Sequence, residues 1–146
     1  MRREEKCSAA LNHKWFGLSL QALVVLSRNC STCPSSVIAE KLHSEPTVLR
    51  RILATLAREN ILETREGRDG GYRLKRAAED ITLAEIYRSL RVGEPLSNGM
   101  IDSTGIHSFG QDMKAAFSDI AEEIDNQVMD VLERHTLADL ADRINL

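Results

Sequence analysis

The side chains of this chain that could do chemistry are guanidinium groups and thiols. Residues 41–76 carry nine basic and five acidic side chains, with Arg50 and Arg51 in L-R-R-I-L and Arg65, Arg68 and Arg73 in R-E-G-R-D-G-G-Y-R. A basic helix following another short helix is a common device for presenting side chains to the DNA major groove. A hairpin studded with arginines adds an arm that can reach the phosphate backbone or the minor groove. The thiols are Cys7, Cys30 and Cys33, and C-S-T-C has the spacing of a redox or zinc pair. One such pair supplies two zinc ligands, and no second pair follows. Ser, His and Asp occur without the spacing of a nucleophile–base set, and there is no phosphate loop or metal triad, so an enzyme is not expected.

The elements that must hold these groups follow from hydrophobic spacing. Residues 1–11 form a polar extension, irregular or helical. Residues 13–28 predict a first helix with Phe16, Leu20, Leu23, Val24 and Leu26 inward. A loop follows, and Pro34 and Ser35 suit the start of a helix over 36–42 with Ile38, Ala39 and Leu42 inward. Ser44 and Glu45 are candidate caps and Pro46 suits a first turn, so a third helix runs to about Glu59. Its core stripe is Val48, Leu49, Ile52, Leu53 and Leu56, leaving Thr47, Arg50, Arg51, Ala54 and Arg58 on or near the other face. Strands are expected at 61–66 and 72–75, with Gly67, Gly70 and Gly71 serving the turn. Thr82 and Glu85 resemble a capping box opening a helix over 82–90. Residues 92–109, rich in Gly, Ser and Pro, read as a long loop.

A long helix is expected over 111–134. Met113, Phe117, Ile120, Ile124, Val128 and Val131 lie on one stripe, and the opposite face is acidic. That pattern suits packing against a partner helix, most simply that of a second copy. A short helix over 137–144 closes the chain. The fold class is therefore mainly α: a winged helix-turn-helix domain with a two-stranded wing, plus a long C-terminal dimerisation helix. The units are a 1–11 extension, a 12–91 DNA-binding domain, a 92–109 loop and a 110–146 dimerisation region.

Charge divides along the same line. The chain holds 19 Lys and Arg against 22 Asp and Glu, a net of −3, which argues against nucleic acid if averaged. Residues 1–91, however, hold 16 basic and 11 acidic side chains, while 92–146 hold 3 and 11. One half suits a polyanion and the other does not. The most apolar stretch, Trp15–Leu26, is interrupted by Gly17, Ser19 and Gln21, far short of the roughly 20 residues of a membrane helix. The N-terminus M-R-R-E-E-K lacks the apolar core of a signal peptide, and the odd cysteine count does not make a disulfide framework. A cytoplasmic protein with reduced thiols is expected.

The order I-A-E-K-L, L-R-R-I-L-x-x-L, R-E-G-R-D-G-G-Y-R-L and D-I-T-L-A-E-I-Y-R-S-L closely resembles the Rrf-two family of bacterial transcription regulators. The motifs match over about residues 12–91, and residues 92–134 match in architecture. The resemblance implies a homodimer whose long helices cross between subunits on a partly palindromic DNA operator. It implies phosphate contacts from Ser35 and Ser36 and groove contacts from Thr47, Val48, Arg50 and Arg51. An arginine there can meet guanine O6 and N7 with two hydrogen bonds. Arg68, Asp69 and Gly70 would form the wing tip.

One departure is clear. Many relatives hold an iron–sulfur cluster through three cysteines before the long helix, and residues 92–112 contain none. No cofactor is expected. His107 lies in that loop, where a ligand or sensor role is open, although a lone loop histidine is more often a solvated or capping side chain. Thiol oxidation at Cys30 and Cys33, with or without Cys7, or a small ligand, would then be the modulator of DNA binding. The competing reading is a winged-helix module for protein contacts, which predicts no preference among DNA sequences.

Overall fold

A computed structural model describes residues 2–29, 31–90 and 95–144; side chains at positions 2–12 and at 95 are outside the description. Helix α1 spans Arg2–Ser27, α2 Ser35–Leu42 and α3 Pro46–Arg58. Strands β1 (Leu62–Arg65) and β2 (Gly71–Leu74) form the wing, followed by a 3-10 turn at Ala78–Asp80. Helices α4 (Leu83–Ser89), α5 (Pro95–Asp102), α6 (Ser108–Glu133) and α7 (Leu137–Asp142) complete the chain.

Helix α3 is amphipathic by construction. Leu49, Ile52, Leu53 and Leu56 recur at helical steps and are fully buried. Pro46 occupies the first turn, where its missing N–H costs nothing. The turn between α2 and α3 closes through His43, whose backbone is left-handed (φ 52°) at the end of α2. The N–H of Ser44 there reaches the carbonyl of Ala39 at 3.0 Å, so orphan carbonyls of α2 are satisfied. These helices pack on the second half of α1, where Ala22–Leu26 are buried.

The wing pairs Leu62 with Leu74, Glu63 with Arg73, Thr64 with Tyr72 and Arg65 with Gly71, antiparallel. It has an additional edge that sequence reasoning did not anticipate. Cys33 and Tyr72 exchange two backbone hydrogen bonds at 2.9 Å, so residue 33 flanks β2 as a one-residue third strand. The approach is close enough that Gly71 is required: a Cβ there would lie 2.5 Å from the Cys33 carbonyl carbon and oxygen, at φ +152°.

Several expected boundaries are corrected. The extension at 1–11, for which irregular and helical structure were both open, is helical from Arg2, so the first helix starts earlier than residue 13. Of the loop expected over 92–109, residues 92–94 lie outside the described residues, and the rest contains α5, which packs along α6 and buries Ser97 (3% exposed) with its hydroxyl 3.4 Å from Asp125 Oδ1. Helix α6 begins three residues earlier than expected, capped by His107, whose Nδ1 accepts the Gly110 N–H at 3.0 Å. Its 26 residues correspond to a length of about 39 Å.

The C-terminus is built into the DNA-binding half. Leu137 is fully buried in the shared core and Ala141 lies beside it. Leu83 donates to His135 at 2.9 Å and Leu137 to Ile81 at 2.8 Å, a short antiparallel bridge between Thr82 and Thr136. The division after residue 91 therefore describes charge better than it describes the core. Thr136 and Asp139 form a reciprocal capping box on α7.

Two outcomes follow. Gly71→Ala should destabilise the domain by about 2 kcal/mol in chemical denaturation, since it adds a clash to a backbone conformation that L residues resist. The Asp139 carboxylate, held by the backbone and hydroxyl of Thr136, lies below its ordinary 3.8. A lowered folded value contributes stability above the unfolded value and loses it as pH falls through the folded one. Acid titration of thermal stability should therefore show a loss below about pH 4 that shrinks in Asp139→Asn.

Candidate nucleic-acid interface

Each predicted contact residue can be placed on this frame. Ser35 and Ser36 open α2 after Pro34, with Ser35 half-buried and Ser36 exposed. The first-turn N–H groups of a helix have no intrahelical partners and suit an anion. On α3, Thr47, Arg50, Arg51, Ala54 and Arg58 are exposed along one face. Val48 is half-buried and packs against the core cluster, so it supports the face more than it extends from it. Arg65 ends β1, and Arg68 and Asp69 stand exposed at the wing tip. Gly70 is half-buried, and a Cβ on it would strike the Arg65 carbonyl. The tip is pinned from outside the hairpin by Thr32, whose hydroxyl donates to the Asp69 carbonyl at 2.6 Å.

The arginines fall into two groups. Arg73 pairs with Glu63 across the hairpin, Arg76 with Glu85, and Arg88 with Glu133. Arg58 donates to the Thr55 hydroxyl at 3.2 Å, and Arg28 to two carbonyls near the C-terminus. Among the described residues, Arg50, Arg51, Arg65 and Arg68 have no ion-pair or side-chain hydrogen-bond partner and are exposed. Exposed ion pairs are individually weak, and the paired arginine side chains stay 41–58% exposed, but each already has an acidic partner. Arg73, which the sequence placed on the same arm as Arg65 and Arg68, is thus engaged. The hairpin register, which sets Glu63 opposite Arg73, is the signal that could have shown it. An open groove of about 480 Å³ at the wing base is lined by Leu26, Asn29, Arg73, Lys75 and Arg76 among others. Its cations are all committed, Lys75 to Asn60 at 3.1 Å.

Cys33 is 5% exposed, with its backbone in the wing. Burial pushes its thiol up, and Lys41 nearby lowers it by less. A thiol held protonated is a poor nucleophile. Cys30 lies outside the described residues, and Cys7 lies in α1 with its side chain outside the description. His107 is a helix cap, its ring stacked on Phe109 at 6.4 Å. On α6, Met113, Phe117, Ile124 and Val128 are half-buried, and Ile120 and Val131 are each 46% exposed. An apolar stripe thus remains open along the helix. Among the described residues, no helix is long and apolar enough to cross a membrane.

An exposed basic helix of a helix pair beside an arginine-tipped hairpin is a winged helix-turn-helix head, and the chain is a DNA-binding transcription regulator, not an enzyme. The Rrf2 model, described as an iron-dependent transcriptional regulator, matches residues 13–143, and the chain belongs to this family. Protein aau3 of Rhizobium meliloti is 32% identical, covering 69% of this chain and 71% of its own. YffB of Lactococcus lactis, assigned by its name to the HTH-type transcriptional regulators, is 25% identical over 85% and 82%. Among solved structures, Staphylococcus aureus CymR superimposes with a TM-score of 0.67 at 22% identity, covering 91% of this chain and 99% of its own. Regulators of this family bind DNA and are typically dimeric.

The two arginine groups should separate in salt titrations of DNA affinity. Arg68→Ala should lower the slope of log affinity against log salt by about 0.9, the release from one phosphate, whereas Arg73→Ala should leave the slope unchanged.

Proposed function

We propose that the protein represses transcription by binding a partly palindromic operator as a homodimer. Helix α3 enters the major groove and the wing follows the backbone or minor groove. The observation that carries this reading is the unpartnered state of Arg50, Arg51, Arg65 and Arg68 on one head whose other described arginines are engaged. Arg50 and Arg51 meet base edges, Arg65 and Arg68 meet phosphates or the minor groove, and Ser35, Ser36 and Thr47 position the duplex. The open stripe of α6 from Met113 to Val131 pairs with that of a second copy, which supplies the two-fold symmetry of the operator. Working on DNA, the protein acts in the cytoplasm.

The reading needs no iron–sulfur cluster. Residues 92–112 carry no cysteine, and among the described residues no three His, Cys, Asp or Glu side chains are grouped to hold a metal ion. These residues do not fit the thiolate set such a cluster requires. If thiol oxidation modulates binding, Cys33 is the receiver and not the origin, because its thiol is buried while its backbone is part of the wing. CymR of Staphylococcus aureus, a relative in fold, has been solved in an oxidized form.

Fluorescence anisotropy on the DNA upstream of the protein's own gene, beside a scrambled fragment, tests the reading. Tighter binding to the native fragment is expected. Arg50→Ala or Arg51→Ala should relax discrimination at one base pair by about 1–3 kcal/mol. Equal affinity for both fragments would instead favour a winged-helix module for protein contacts.

A further inference from the structure

Arg28 directly follows α1, and its Nη2 donates to the carbonyls of both Ala141 and Ile144 at 2.6 Å. These oxygens belong to the end of α7, where the last turn of a helix leaves carbonyls without intrahelical partners. A few residues after Arg28 come Thr32, Cys33 and Pro34, each of which joins the DNA-reading head. Thr32 holds the wing tip through the Asp69 carbonyl, Cys33 forms the third strand with Tyr72, and Pro34 is the N-cap of α2. The other end of α7 is fixed by the bridge between Thr82 and Thr136, in which Leu83 bonds to His135 and Leu137 to Ile81. Helix α7 is therefore clamped at both ends, and it continues directly from α6.

We propose that Arg28 is a positioning residue for DNA binding. It fixes the segment that carries the wing tip and the start of α2 against the end of the long helix. A shift of α6 within a dimer then reaches the wing through α7 and Arg28, without Arg28 touching DNA. Its guanidinium is turned to the α7 carbonyls, and Thr32 relays the constraint to Asp69. The inference rests on the DNA-binding reading above for its functional consequence. The mechanical link itself stands on the contacts alone.

The test compares wild type, Arg28→Ala, Thr32→Val and the double variant, all full length. Hydrogen exchange at the Cys33 and Tyr72 amides should quicken about ten-fold in Arg28→Ala, while the Leu53 and Leu56 amides of α3 stay as protected as in wild type. Affinity for the native DNA fragment should fall about five- to ten-fold, and adding Thr32→Val should weaken it little further, since the two act in one chain of contacts. The salt slope should not change. Unaltered exchange at Cys33 and Tyr72 would overturn the proposal, as would equal loss of protection in α3, which would mean general destabilisation. A slope lowered by about 0.9 would make Arg28 itself a phosphate contact, and additive effects of the two substitutions would break the relay. Should wild type fail to prefer its own DNA, the functional reading falls, while the exchange measurement still decides the link.

Discussion

Two backbone hydrogen bonds between Cys33 and Tyr72 hold the reading head together. A two-stranded hairpin alone is marginal in water, and an arm that swings cannot place an arginine. Flanking β2 with residue 33 makes the wing an extension of the segment that starts α2. Gly71 permits the approach, and no side chain could be accommodated at that distance. Helix pair and wing are thereby joined backbone to backbone, which limits how far their cations can move apart. The burial of Cys33 follows from the same contact, because its side chain must enter the core when its backbone joins the sheet.

On this rigid head, acidic neighbours decide which cations remain available. Glu63, Glu85 and Glu133 each pair with one arginine, while among the described residues the arginines of the tip and the exposed pair on α3 make no ion pair. The head thus concentrates its free positive charge on the surface that α3 and the wing present together. The acidic side chains of α6 sit on the other half of the chain, where they disfavour approach of a polyanion along the long helix. The two signs together leave one surface of the chain suited to a polyanion.

Much of this was legible in the sequence, for identifiable reasons. Helix α3 shows itself because Leu49, Ile52, Leu53 and Leu56 fall at steps that only a helix buries together. The wing shows itself because three glycines punctuate two short strands. Helix α5 stayed hidden because Pro95, Ser97, Asn98 and Gly99 read as loop residues; Pro95 is in fact the first residue of the helix, where proline is tolerated. The start of α6 was missed because Gly110 looks like a helix breaker, whereas it is buried against the Gly105 backbone and no larger residue fits. The role of Thr32 and the contacts of Arg28 lie beyond sequence patterning, since the partners are 37 and more than 100 residues away. The apolar stripe of α6 was readable, but a stripe does not name what covers it.

Leu137 and Ala141 in the core also bear on the birth of the molecule. During synthesis the helix pair and wing emerge long before the residues that seal them. Until Leu137 is made, the head lacks a residue of its own core and the Ile81 carbonyl lacks the amide that meets it. A polypeptide cut between α4 and α7 would leave that core open instead of yielding a half-sized regulator.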